Sequence, residues 1–232
     1  MATFRSAAGT IAVSTSEITV DLPAGIVEGD LLVMLVIKPQ TDKPVAPSGW
    51  FGIGDHQHGA GSRMSSMGCW TIATAAMVAA GTQDVVCTSS SNDATMHAEV
   101  AAFDISDWDG LLWNGTSDFL HYSSGTTGFS SDLATIFGDG LSIVFHAVRV
   151  TARTGAGTTT EGGVAVDSDD SSVFSARIWY NVAEVAETTQ AATVGAAGTI
   201  NATQVGFACF GPSADATSTV PCPDPDGERV SF

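Results

Sequence analysis

Lysine occurs only twice in the 232 residues, at Lys38 and Lys43, and charged residues make up 14% of the chain. An average soluble domain carries roughly 25%. Long solvent-facing helices draw on Lys, Glu, Arg and Gln, so this scarcity argues against a helical fold. Basic charge of any kind is short: 8 Lys+Arg stand against 25 Asp+Glu, a formal net charge of −17. Such a chain repels nucleic acid and anionic lipid, which excludes both as partners on electrostatic grounds. The longest strongly apolar run, Leu31 to Ile37, has seven residues. It suits a buried strand and is far too short to cross a bilayer. The start, MATFRSAAGTIAVS, lacks the apolar core of a signal peptide, so synthesis in the cytosol is the expectation. The four cysteines, Cys69, Cys87, Cys209 and Cys222, form no C-x-x-C pair and read mainly as small buried hydrophobes. A Cys209–Cys222 disulfide is the alternative, and a reducing compartment disfavours it.

What is abundant is small residues and short strand signals. Glu17 to Leu22 alternates, with Ile18, Val20 and Leu22 apolar, and stops at Pro23-Ala24-Gly25. Gly29-Asp30 then opens Leu31–Ile37, a continuous apolar run typical of a strand covered on both faces. Further runs fall at Cys69–Ala73, Asp84–Thr88, Val100–Ile105, Leu141–Val150, Val173–Val182, Ala192–Val194 and Val205–Phe210. Gly, Ser, Thr and Asp clusters separate them, the spacing of a β-sandwich or barrel. Only Ile72–Ala80 suits a helix, and it suits a strand with a turn at Gly81 equally well.

Some of these runs recur in order. Gly29-Asp30-Leu31-Leu32 has a counterpart in Gly138-Asp139-Gly140-Leu141, and Cys69–Ala73 is echoed by Trp179–Ala183. Thr82-Gln83 matches Thr189-Gln190, and Ala94-Thr95 leading to Val100 and Phe103 matches Ala202-Thr203 leading to Val205 and Phe210. Two halves, about 1–106 and 133–212, are therefore expected to carry the same strand order. Each has too few strands to cover both faces of a sheet alone, so one sandwich built from both is the preferred arrangement. Residues 107–132 read as a connector rich in aromatics, Gly and Ser. Residues 213–232, with Pro221, Pro223 and Pro225, read as an extended C-terminal arm.

The marks Leu22-Pro23-Ala24-Gly25, Gly29-Asp30-Leu31-Leu32 and Pro47-Ser48-Gly49-Trp50, with the weaker second copy, carry a family resemblance. The chain resembles a β-sandwich family common among structural-protein genes of tailed bacteriophages and prophages. The likeness spans residues 15–212. It departs from the pattern in the second half, where Gly162-Gly163 stands in place of Gly-Trp or Gly-Met. The resemblance implies a virion setting.

Several side chains invite chemical readings. His56 and His58, with Asp55 beside them, offer two imidazoles for a transition metal, and a third ligand would come from His97, His121, His146 or another subunit. The simpler reading is a solvated Gly-rich loop. Asp107 and Asp109, before Gly110, are the first choice for a calcium-like ion, but the helix-flanked loop with its terminal bidentate Glu is missing. Surface carboxylates are again simpler, and no cofactor is expected. Glu17, Glu99, Glu184 and Glu187 lie on or beside strands, where a surface position suffices. No G-x-S-x-G, S-x-x-K, H-E-x-x-H or P-loop occurs, which favours a non-enzymatic role. Trp50, Trp70, Trp179, Tyr180, Phe103 and Phe210 read as core. Trp108, Leu111, Leu112, Trp113 and Phe119 in the connector read as a subunit interface, together with the prolines of the arm.

These observations give an all-β, jelly-roll-like β-sandwich with two sequence-similar halves and an extended arm. With the resemblance, they point to a capsid decoration (cement) protein on the virion exterior. It would bind between major capsid subunits as a homotrimer, with each buried apolar Å² contributing about 25 cal/mol before ordering costs. The alternative is a tail-tip or fibre adhesin that stacks host-surface glycan on Trp108 and Trp113. A carbohydrate-active enzyme assembled from scattered carboxylates is a weaker third reading.

Overall fold

The computed structural model of the protein describes residues 2–12, 16–38, 43–58, 64–87, 95–108, 110–115, 120–132, 140–149, 158–159, 163–170, 174–183 and 189–209. The described chain is almost entirely antiparallel β-structure. Its first part contains β1 (Thr3–Ala12), β2 (Glu17–Asp21), β3 (Leu31–Lys38), β4 (Pro44–Val45), β5 (Phe51–His58) and β6 (Met64–Ile72). The short helix α1 (Ala75–Ala80) follows, then β7 (Thr82–Cys87) and β8 (Met96–Asp104). The second part contains β9 (Leu111–Gly115), β10 (Leu120–Asp132), β11 (Gly140–Arg149), β12 (Thr158–Thr159), β13 (Gly163–Asp170), β14 (Phe174–Ala183) and β15 (Thr189–Cys209).

The apolar run at Leu31 behaves as its composition demands. Every residue of β3 is buried, and β3 is the middle strand of a five-stranded sheet ordered β1-β8-β3-β6-β5. Side chains alternate across a strand, so each face of β3 needs its own cover. Leu31, Val33, Leu35 and Ile37 join a core with Leu141, Ile143, Phe145, Ile178 and Phe207 of the second large sheet. Leu32, Met34 and Val36 join another with Ile18, Val20 and Val85 of a small sheet ordered β2-β7-β4. The first large sheet therefore lies between two others. The second large sheet runs β10-β15-β11-β14-β13, with β9 and β12 also paired to β15.

Two of the sequence marks are turns that set up these strands. The Pro47 carbonyl accepts from the Trp50 N–H at 3.0 Å with Gly49 at φ 83°, and the Val27 carbonyl accepts from the Asp30 N–H at 3.2 Å with Gly29 at φ 94°. Both place the glycine where a type II turn needs positive φ. Trp50 then fills the core under the small sheet and donates its indole N–H to Gln83 Oε1 at 3.1 Å.

Elsewhere the chain departs from the reading by composition. The ambiguous stretch from Ile72 divides: strand β6 ends at Ile72 and Thr74 caps α1, its hydroxyl accepting from the Met77 N–H at 3.2 Å. Phe51–His58, expected as a Gly-rich loop, is β5, hydrogen-bonded along β6. The segment 107–132, expected as a connector, carries β9 and β10, both paired to β15. The two short runs near Ala192 and Val205 are one strand, β15. Backbone pairing imposed by a neighbouring strand outweighs weak intrinsic β-propensity at such Gly- and Ser-rich positions.

Candidate functional site

Among the described residues, two groups of polar side chains include a buried carboxylate. At one edge, Arg5 of β1 reaches the turn before β3. Its Nε lies 2.7 Å from Asp30 Oδ2, and one terminal nitrogen donates to Asp30 Oδ1 at 3.0 Å and to Asp104 Oδ2 at 2.9 Å. Asp30 is only 2% exposed and also accepts the Val27 N–H at 2.9 Å. The hydrogen bond to Asp30 is the main cause that raises the Arg5 pKa above its usual value. The arrangement ties an edge strand to the central sheet.

Asp104 is held below the usual carboxylate range, chiefly by the backbone N–H of Ser106, which donates to Oδ1 at 2.9 Å, with Arg5 adding to the effect. A carboxylate with a lowered folded-state pKa lends stability that is complete above its unfolded pKa and is lost as pH falls through the folded value. The gap in thermal midpoint between wild type and Asp104→Asn is therefore expected to hold at neutral pH and to close as pH drops below about 4. A gap unchanged at pH 2 would show that these contacts do not depend on the charge.

The second cluster lies on β8, on the face turned towards the second large sheet. His97 and Glu99 are both fully buried, with His97 Nε2 2.6 Å from Glu99 Oε1. That corrects the surface position expected for Glu99. Its carboxylate lies over Gly9, its register partner on β1, and a Cβ added at Gly9 would fall 2.8 Å from the Glu99 Cδ. Lys38, Ser65 and Ser66, near the same end of the sheet, are buried as well. Alternation along Met96–Asp104 was the available signal: His97 and Glu99 share a face with Ala101 and Phe103, and Phe103 can only be core.

The proposed interface residues divide. Trp108, 7% exposed, and Leu111, fully buried, belong to the core between the two large sheets. Side chains already covered by their own chain are not offered to a partner, so the exposed reading of Trp108 is corrected. The side chains of Leu112 and Trp113 fall outside the described residues, as do Phe119, Pro221, Pro223 and Pro225 entirely.

Of the metal candidates, Asp107 is exposed and Asp109 lies outside the described residues. His56 and His58 stand opposite Ser66 and Met64 on β6, and their side chains are not described. Pairing puts His56 and His97 on β5 and β8, three strand spacings or about 14 Å apart, too far for one ion. Among the described residues no group of three or more His, Cys, Asp or Glu is placed to hold a metal. Cys69 is buried in the core and burial pushes its thiol pKa up, while Cys87 is half-buried with its Sγ 3.6 Å from Met96 Sδ. No helix among the described residues is long and apolar enough to cross a membrane. The chain matches no protein-family model, no curated protein and no solved structure.

Proposed function

We propose that this is a non-enzymatic structural protein of a tailed-phage virion, a decoration or cement protein on the capsid exterior. It would sit between major capsid subunits, as a homotrimer, on a jelly-roll-like sandwich of two sequence-similar halves. The observation that carries this reading is what the marks of the resemblance do. Gly29–Leu32 and Pro47–Trp50 are the turns that launch β3 and β5, and Asp30 and Trp50 are anchored by side-chain bonds. The likeness is therefore one of scaffold-building positions, and it supports kinship with the structural family rather than a chance string of small residues. The two halves gain support from the equal order of strands in the two large sheets. A net charge of −17 suits a protein held outside the shell, away from packaged genome.

With Trp108 and Leu111 committed to the core, docking on the capsid falls to Leu112, Trp113, Phe119 and the prolines of the arm. The adhesin reading loses one of the two tryptophans it requires for a glycan platform. Heating virions assembled with and without the protein tests the proposal. Heads carrying it are expected to release DNA at a higher temperature, and hundreds of copies are expected per particle. Equal rupture temperatures, or only a few copies, would refute a cement role.

A further inference from the structure

The contacts between the two large sheets are reciprocal. Leu31 stands opposite Ile72 and Phe103, and Leu141 stands opposite Val182 and Phe207. Val33 faces Trp70 across the strands as Ile143 faces Tyr180. With Cys69–Ala73 laid on Trp179–Ala183, Tyr180 is the counterpart of Trp70; strand register then sets Leu141 on Leu31, one position from the Gly29-Asp30 and Gly138-Asp139 match, and Phe207 on Phe103, where the sequence pattern suggested Phe210.

The packing obeys the same exchange. Phe103 meets Tyr180 edge-on, with ring centroids 5.3 Å apart at 71°. Phe207 meets Trp70 edge-on, at 5.6 Å and 79°. Four strand contacts follow suit, β14 on β3 as β11 on β6 and β13 on β8 as β15 on β5, while the packing of β1 on β13 and of β14 on β8 has no equally close image. When i touches the counterpart of j and j touches the counterpart of i, the interface is isologous, the form that a two-fold axis produces.

We infer that the buried face between the two large sheets is an internal dimer interface. Each repeat presents there the surface by which it would bind a second copy of itself, and the chain is two such units closed about a two-fold axis. The inference rests on the two-half reading above and is independent of where in a virion the protein sits.

One of the departures from symmetry supplies the test. In the first sheet Phe51 of β5 stacks on Trp70, at 4.7 Å and 24°. The register partner of Tyr180 in the matching place on β13 is Gly163, which supplies no ring. Phe4 of β1, the strand that runs against β13, stacks on Tyr180 instead, at 5.1 Å and 21°.

Phe4→Ala in the full chain is expected to lower the thermal midpoint by about 5–10 °C. Adding Gly163→Phe places a ring where Phe51 stands in the other repeat and is expected to restore at least half of that loss. Val164→Phe, at the next position along β13, is the control and is expected to restore none. Gly163→Phe alone, with Phe4 still in place, is expected to destabilise through overcrowding. Failure of Gly163→Phe to rescue, or equal rescue by Val164→Phe, would overturn the inference. Because no virion enters this experiment, its failure leaves the cement proposal standing, and a failed heating experiment leaves the internal dimer standing.

Discussion

Asp30→Ala is expected to cost the protein about 3 kcal/mol, seen in chemical denaturation and as a fall of roughly 6–12 °C in thermal midpoint. Asp30 is buried and charged, and two donors converge on it, a terminal nitrogen of Arg5 and the Val27 N–H, with Arg5 Nε at ion-pair distance beside them. Removing the carboxylate leaves Val27 N–H without its acceptor and frees the guanidinium from the only fully buried member of its cluster. Arg5 is 26% exposed and keeps Asp104, so water and a second carboxylate offset part of the loss. That is why the lower end of the range for breaking a buried pair applies. Asp30→Asn retains one acceptor oxygen without the charge and is expected to fall about midway. The same change should loosen β1, because Arg5 is its side-chain tie to the turn before β3, and amide exchange along Thr3–Ala12 should quicken. A loss below about 1 kcal/mol, with exchange in β1 unaltered, would show that the cluster is incidental to stability.

The parts of this fold that sequence makes legible are those where one physical requirement dominates. Leu31–Ile37 has no polar position, so it had to be covered on both faces, and two different cores meet it. Gly49 before Trp50 announces a turn because few other residues accept its φ. Where several weak requirements compete, composition misleads. Phe51–His58 contains glycines and histidines that favour a loop, yet β6 supplies a partner for the backbone along its length. β10 is built largely from Ser, Thr and Gly and shows no period of two, so only its pairing with β15 reveals it. Trp108 reads as part of a subunit interface because it stands among Leu111, Leu112, Trp113 and Phe119 in the connector. Its N–H bonds the Ile105 carbonyl in a turn at 2.8 Å, and its ring lies in the core between the sheets. Glu99 illustrates the hardest case. A lone acid in a strand is nearly always at the surface, and only three-dimensional pairing with His97 and a glycine opposite allows it inside.

That glycine makes a second strong prediction. Gly9→Ala, conservative by volume and on an edge strand, is expected to destabilise the protein by about 1–3 kcal/mol. The new Cβ would press on both oxygens of the Glu99 carboxylate and on its Cδ. A flexible surface glutamate would swing away at little cost. Glu99 is enclosed on all sides and lies at ion-pair distance from His97, so moving it means disturbing a buried pair. Gly9→Val should be worse still. A double-mutant cycle isolates the cause: with Glu99→Ala in place the obstruction is gone, and Gly9→Ala should then cost almost nothing. The two losses are expected to be non-additive by at least 1 kcal/mol, with the pair less damaging than the sum. Additivity within about 0.5 kcal/mol would place the cost of Gly9→Ala in the backbone of β1 instead and show that Glu99 has room to move within its buried site.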